Sequence, residues 1–171
     1  MVAAELLGRS DRREAVHVLD LARLLVGEVE EVYALAEAAP PDGSGSDVDC
    51  ATAVTLRFAG GAVGTLAATC RLPWKHRAGL DVYADGLALA LSEDGLEVRD
   101  SKEGLVCEKV DPDEAKRASD RAFVNAVLGI GDDIRVPYDE ALRTHRLACA
   151  VAHSAARHRP VRLSAGETHD R

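Results

Sequence analysis

One stretch, residues 14–35, constrains the fold more than any other, because it joins a helical repeat to a glycine stop and a strand. Its apolar residues recur with the 3.6-residue period of a helix that buries one broad face. The residues that predict this face are Ala15, Val16, Val18, Leu19, Ala22, Leu24 and Leu25. Gly27 is expected to end the helix, and the valines among glutamates at 29–35 predict a strand. The core is therefore expected to begin with a helix and a strand.

Short strands follow in the middle of the chain. Residues 52–58 alternate apolar and polar side chains, and Gly60-Gly61 predicts a turn into a second strand at 62–70. Four more short apolar segments are separated by turn sequences such as Asp85-Gly86. These segments are residues 80–83, 87–91, 96–98 and 105–110. The pattern predicts an antiparallel meander that begins with a hairpin.

Two helices are predicted near the end. Asp111 is a plausible N-cap before Pro112, and the helix is expected to run to Val127. Its expected buried stripe is Ala115, Ala118, Ala122, Phe123, Ala126 and Val127. A second helix is predicted over 138–158 and an edge strand over 161–163. The expected buried face of that helix is Ala141, Leu142, His145, Ala148, Cys149 and Ala152. This order predicts an α+β fold, a largely antiparallel open sheet with helices packed on one face.

A length of 171 residues suits one domain, expected over residues 14–163. Residues 1–13 are expected to be a separate N-terminal segment, either disordered, a remnant of something longer, or a short helical turn at 2–7. The proline, glycine and serine residues at 39–47 predict an exposed loop, and residues 164–171 a disordered tail.

The formal net charge of −8, without a basic run, argues against a nucleic-acid partner. No apolar run approaches the roughly 20 residues that span a bilayer, and no secretory leader is visible, so we expect a cytoplasmic protein with no membrane partner. Four scattered cysteines are expected to be reduced and buried: Cys50, Cys70, Cys107 and Cys149.

Two groups of side chains are candidates for chemistry. His17 and Asp20 lie three residues apart and therefore share one face of the first helix. They are either a titratable pair at a site, or a hydrogen-bonded core histidine beside a surface charge. The second group is the loop Trp74, Lys75, His76 and Arg77. It is suited to hold a polyol or an anionic sugar, unless Trp74 is a core plug and the cations form a solvated turn.

Three further side chains on the last predicted helix are candidates for a site. Tyr138 is a candidate substrate-binding residue because it begins a helix next to Pro137. His145 and His153 lie two turns apart without a neighbouring carboxylate, which makes a poor zinc site, so no metal is predicted.

Four segments, in order, carry a family resemblance: HVLDLARLLVGEVEEV, VTLRFAGGAVGTLAATC, RAFVNAV and PYDEALRTHRLACAVAHSA. Together they resemble the C-terminal domain of the glucose-fructose oxidoreductase / inositol dehydrogenase (Gfo/Idh/MocA) family over residues 17–163. The resemblance implies an oxidoreductase that uses NAD or NADP on a sugar, cyclitol or related polyol. It also implies a homo-oligomer formed through the sheet face.

In that family an N-terminal Rossmann domain holds the cofactor and the catalytic lysine of a Glu-Lys-Pro motif. The sequence has no strand-bounded GxGxxG, since Gly129-Ile130-Gly131 stands between two predicted helices and before acidic residues. We therefore expect no cofactor-binding residues in this chain. The nucleotide domain is expected on a separate Rossmann-bearing chain or in a longer coding frame.

The resemblance also assigns roles. His17 takes the position of the histidine that accepts the substrate's hydroxyl proton, whereas Arg13 stands where the family has an acid. Asp20 matches a following aspartate that orients the histidine or binds a sugar hydroxyl. The alternative hypothesis is a non-catalytic, stand-alone binding or oligomerisation domain.

Overall fold

The computed structural model of the chain describes residues 1–8, 12–37, 51–69, 74–102, 104–109 and 111–164. Within it the strands are β1 (Val2–Gly8), β2 (Val29–Ala36), β3 (Ala51–Phe58), β4 (Val63–Thr69), β5 (Lys75–Ala84), β6 (Leu87–Ser92), β7 (Gly95–Asp100), β8 (Gly104–Lys109) and β9 (Val161–Arg162). The helices are α1 (Arg12–Val26), α2 (Pro112–Val127) and α3 (Tyr138–Arg157).

The strands form one sheet in the order β8-β7-β6-β5-β1-β4-β3-β2-β9. Neighbouring strands run antiparallel except β1 and β4, which are parallel. The α+β prediction is therefore confirmed, as are the hairpin of β3 and β4 and the meander from β5 to β8. Gly27, with φ of 112°, ends α1 in a conformation that favours glycine.

The core lies between the sheet and two helices, α1 and α3. The buried apolar side chains of α1 are Val18, Leu19 and Ala22, and those of α3 are Leu147 and Ala150. The sheet contributes the inward side chains of its strands, namely Val29, Val32, Ala34, Val54, Leu56, Phe58, Leu66 and Leu80. Because side chains alternate along each strand, the opposite sheet face is left facing outward.

The first strand corrects the expectation for residues 1–13. Val2–Gly8 is neither a helical turn nor disordered, since it pairs with β4 on one side and β5 on the other. A short apolar run in a central strand has no period that separates it from a helical turn. The loop at 39–47 lies outside the described residues, and so does the tail beyond Ser164.

The structure also corrects which faces of the three helices are buried. Leu24 is 78% exposed and Leu25 42%, so the buried face of α1 is narrower than predicted. Helix α2 has no buried residue, and its predicted stripe is at most half-buried. On α3 the buried residues are Thr144, Leu147, Ala150 and Ser154, whereas the predicted Ala141, His145, Cys149 and Ala152 are exposed. The helical period indicates that a helix has an apolar face, but it does not indicate which neighbouring element covers that face.

Two of the four cysteines are described, Cys107 and Cys149, and both are free thiols. Both are also exposed, so the expectation of burial is wrong for them. Cys50 and Cys70 lie outside the described residues. Among the described helices, none has the length and apolar character needed to cross a lipid bilayer.

Candidate functional site

The sheet register brings the start of α1 and the Trp74 loop to one end of the domain. Strand β1 ends at Gly8, which pairs with Lys75 at the start of β5. Trp74 immediately precedes Lys75, and α1 begins at Arg12, four residues after Gly8. We call this edge of the sheet the Gly8 end. Backbone pairing therefore places the start of β5, next to Trp74, at the end of the sheet where β1 ends.

His17 lies on the second turn of α1, about 7.5 Å along the helix axis from Arg12 at 1.5 Å per residue. Its side chain is exposed, because the neighbouring Val18 and Leu19 occupy the face that packs into the core. The alternative of a hydrogen-bonded core histidine is therefore wrong. An exposed imidazole near the Gly8 end is accessible to a small ligand.

Trp74 is 59% exposed, so the alternative of a core plug is also wrong. An exposed indole presents a flat apolar surface and one N–H donor to a ligand. Lys75, His76 and Arg77 are the first residues of β5, so the prediction of a loop is wrong for these three. Only their backbone is described.

Asp20 faces helix α3 and is only partly exposed. The Thr144 hydroxyl donates a hydrogen bond to its Oδ1 over 2.5 Å, and Nη1 of Arg23 lies 3.6 Å from the same oxygen. These contacts are to α3 and to the next turn of α1. Its role as a substrate ligand stays a prediction.

The contact between α1 and α3 is centred on a buried arginine, Arg23. The Arg23 side chain is 5% exposed, and its Nε and Nη2 donate to the two carboxylate oxygens of Glu28 over 3.1 and 2.6 Å. Its Nη1 donates to the Thr144 hydroxyl over 2.6 Å, and Nη2 also donates to Glu140 over 3.1 Å. We call Asp20, Arg23, Glu28, Glu140 and Thr144 the Arg23 cluster.

Charge pairing explains why this arginine tolerates burial. The hydrogen bonds to Glu28 raise the pKa of Arg23, against the opposing effect of desolvation, and Glu140 raises it further. The same bonds hold the pKa of Glu28 below its ordinary value of 4.5. A buried charge is stable only when it is paired and hydrogen-bonded, so the cluster fixes α1, which carries His17, against α3. Sequence analysis missed the cluster; the spacing of Asp20 and Arg23 was its one visible signal.

Tyr138 lies at the other end of the helical layer. Glu140 contacts Arg23 near the C-terminus of α1, so the beginning of α3 lies beside the end of α1. Tyr138 is two residues earlier and 82% exposed. This placement does not bring Tyr138 together with His17 and Trp74, and it does not support one shared pocket.

The described residues do not fit a dinucleotide. A pyrophosphate binds at a glycine-rich turn before a helix N-terminus, where the helix dipole favours an anion. Helices α2 and α3 instead each carry two acidic residues in their first turns. Gly129 follows the end of α2 rather than preceding a helix. Nor do three metal-ligating side chains come together anywhere in the described part of the chain.

A shallow groove of about 310 Å³ lies on the open face of the sheet. It is lined by Met1, Tyr33, Arg57 and Thr65, among others. Those strand residues point away from the helices, so the groove is separate from the face that carries His17.

Comparison with known proteins shows which domains this chain is similar to. The model of the GFO/IDH/MocA C-terminal domain matches residues 14–88. Levoglucosan dehydrogenase, solved with NADH and L-sorbose, superposes with a TM-score of 0.74 at 20% identity, over 95% of this chain and 58% of its own. An oxidoreductase from Agrobacterium radiobacter, solved with NAD+, L-tartaric acid and magnesium, gives 0.73 at 16% identity, over 94% and 56%. An oxidoreductase domain protein from Kribbella flavida gives 0.75 at 17%, over 95% and 58%.

At these identities the superpositions show a common fold. This chain spans a little over half the length of each of these three structures. No curated protein sequence matches it.

Proposed function

We propose that this chain, which carries a GFO/IDH/MocA C-terminal domain, is the substrate-binding and oligomerisation domain of an NAD(P)-dependent oxidoreductase. Its substrate class is a sugar, a cyclitol or a related polyol. The observation that carries the proposal is the placement of an exposed His17 on α1 and an exposed Trp74 at the same Gly8 end of the sheet.

The chemistry of these groups suits a polyol. Oxidation of a carbinol removes a proton from the hydroxyl and a hydride from the carbon. His17 accepts the proton on a ring nitrogen, since its imidazole is accessible here. Trp74 supplies an apolar surface for the carbon skeleton. Lys75, His76 and Arg77 follow in β5 as candidate hydroxyl or carboxylate ligands.

The hydride acceptor is assigned to another domain. Levoglucosan dehydrogenase and the Agrobacterium radiobacter enzyme were solved with NADH and NAD+. The described residues of this chain do not fit a dinucleotide, so NAD or NADP is held by a nucleotide-binding domain outside them.

Oligomerisation is assigned to the open face of the sheet. Leu35, Val63 and Tyr83 point outward from three strands and are 50%, 51% and 44% exposed. These exposed apolar side chains favour a covering partner, and a second copy with the same surface covers them by two-fold symmetry. Sedimentation of the purified chain should give a dimer or larger species, and Val63→Asp should reduce it to a monomer. A monomeric wild-type chain would contradict this assignment.

Trp74 gives a direct test of substrate binding, because it is the chain's one tryptophan. Titration with levoglucosan or L-sorbose should change its emission saturably. Loss of one hydrogen bond in His17→Ala should weaken the affinity about fivefold, which corresponds to about 1 kcal/mol. His153→Ala, an exposed histidine on α3, is the matched control and should bind as the wild type does. The absence of saturation with both sugars would point to the non-catalytic alternative.

A further inference from the structure

We propose that Cys149, on the outer face of α3, is a thiol modification site that forms mixed disulfides with small disulfides carrying carboxylates. His145 is the group that takes up the thiol proton. Neither residue belongs to the groups to which the proposed function assigns substrate binding. The inference therefore does not depend on that function.

Cys149 lies on the side of α3 that faces away from the core. It is exposed and is a free thiol. At about 100° per residue, it lies about 140° around the helix from Thr144, which accepts a hydrogen bond from Arg23 of α1. It lies about 160° from Leu147, which packs into the core. A small reagent in solution can therefore reach the Cys149 sulfur.

A proton acceptor lies within hydrogen-bond distance of this sulfur. Nε2 of His145, one turn earlier on the same side of α3, is 3.7 Å from Sγ of Cys149. Helical side chains lean toward the N-terminus of their helix, so Cys149 leans toward His145 and away from His153, one turn later. With the ring proton on Nδ1, Nε2 accepts the thiol proton. Because the thiolate is the form that attacks a disulfide, this contact favours reaction at Cys149.

The charged neighbours of Cys149 differ from those of Cys107, the other exposed cysteine in the described part of the chain. Arg146 lies three residues before Cys149 and therefore on the same side of α3. Cys107 of β8 lies directly opposite Glu97 of β7, so these two side chains share one face of the sheet. A guanidinium attracts a reagent that carries carboxylates, whereas a glutamate repels it. An anionic disulfide should therefore react faster at Cys149 than at Cys107.

The reaction is thiol–disulfide exchange. The Cys149 thiol gives its proton to Nε2 of His145, and the sulfur attacks one sulfur of the reagent. A new S–S bond forms while the S–S bond of the reagent breaks, and the departing thiolate takes the proton from His145. Cys149 is oxidised and the departing half of the reagent is reduced, so the disulfide itself is the oxidant.

Peptide mass mapping of the full chain after timed exposure to oxidised glutathione at neutral pH tests the site. It measures the mixed disulfide at each cysteine separately. The initial rate at Cys149 should be at least about tenfold above the rate at Cys107. His145→Gln keeps a polar side chain but cannot take up the proton. It should slow Cys149 about tenfold, less than a buried catalytic base contributes, because water competes at an exposed site.

His153→Gln is the matched control, since it removes an exposed histidine one turn from Cys149 on the other side along the helix. It should leave the rate at Cys149 as it is. The rate at Cys107 in each sample should stay the same in both variants, which shows that the fold is intact.

Three results would overturn parts of this inference. A rate at Cys149 no higher than at Cys107 would overturn the site. No loss of rate in His145→Gln, or an equal loss in His153→Gln, would overturn the role of His145. Cystamine, a cationic disulfide, tests the preference for carboxylates, and the ratio of the rate at Cys149 to that at Cys107 should fall with it. A ratio that stays the same or rises would overturn that preference.

Discussion

Replacing Arg23 by methionine tests whether the Arg23 cluster fixes α1 against α3. Methionine keeps the apolar stem buried and removes the guanidinium, which leaves Thr144 and the Glu140 carbonyl without their donor. Hydrogen bonds to a charged group contribute about 1.5 to 3 kcal/mol each when buried. The pairs with Glu28 and Glu140 contribute less than about 1 kcal/mol each, because those side chains are 56% and 39% exposed.

The two lost bonds give an expected loss in the free energy of unfolding of about 3 to 6 kcal/mol, which lowers the Tm by about 6 to 24 °C for a domain of this size. Urea unfolding followed by circular dichroism measures it. Arg143→Met is the matched control: Arg143 contacts Glu140 over 3.2 Å but is 47% exposed. It should cost less than about 1 kcal/mol. A cost for Arg23→Met no larger than for Arg143→Met would refute the reasoning.

Wild type and Arg23→Met should also differ in how the free energy of unfolding depends on pH. Glu28 has a folded pKa below its ordinary value of 4.5, because Arg23 donates two hydrogen bonds to its carboxylate. Its contribution is complete above pH 4.5 and is lost as the pH falls through the folded pKa. The stability difference between wild type and Arg23→Met should be full at neutral pH and shrink below 4.5. A difference that grows on acidification would contradict the assignment.

Two further substitutions test the fold. Ser154 is fully buried, and its hydroxyl oxygen accepts a hydrogen bond from the Ala34 N–H over 2.9 Å. Ser154→Ala should therefore lower the free energy of unfolding in urea by about 2 kcal/mol. A loss under about 0.5 kcal/mol would show that this hydrogen bond is dispensable. A Cβ at Gly95 would lie 2.2 Å from the Glu108 carbonyl oxygen, so Gly95→Ala should speed amide exchange in β7 and β8. Gly60→Ala, with no atom within 4 Å, should leave that exchange as it is.

The sequence predicted elements correctly where a run with the helical or the strand period ended at a glycine. The α1 repeat ends at Gly27, whose positive φ suits glycine, and Gly60-Gly61 lies between two alternating runs. The sequence did not predict strand β1, since this strand forms by pairing with two segments distant in sequence, β4 and β5. Local patterns specify elements, and long-range pairing specifies where they lie in the sheet.

The candidate site was predictable only in part. His17 and Trp74 were identified by residue type and resemblance, but their approach depends on the pairing of Gly8 with Lys75. The spacing of Asp20 and Arg23 was the one signal of the Arg23 cluster, because Arg23 and Glu140 are 117 positions apart. Apolar period predicted burial for Leu24 that the described chain does not provide. An apolar helix face that stays exposed carries the same sequence signal as a core face.

Titration of the free chain with NADH tests the central claim most directly, namely that this chain holds the substrate side of the reaction and another domain holds the cofactor. Trp74 is the single donor for energy transfer to bound NADH, so binding near the Gly8 end would quench its emission. The account predicts no saturable quenching by NADH and saturable change with L-sorbose. Saturable NADH binding at micromolar concentration, about −8 kcal/mol, would mean that this chain holds the cofactor itself and would contradict the account.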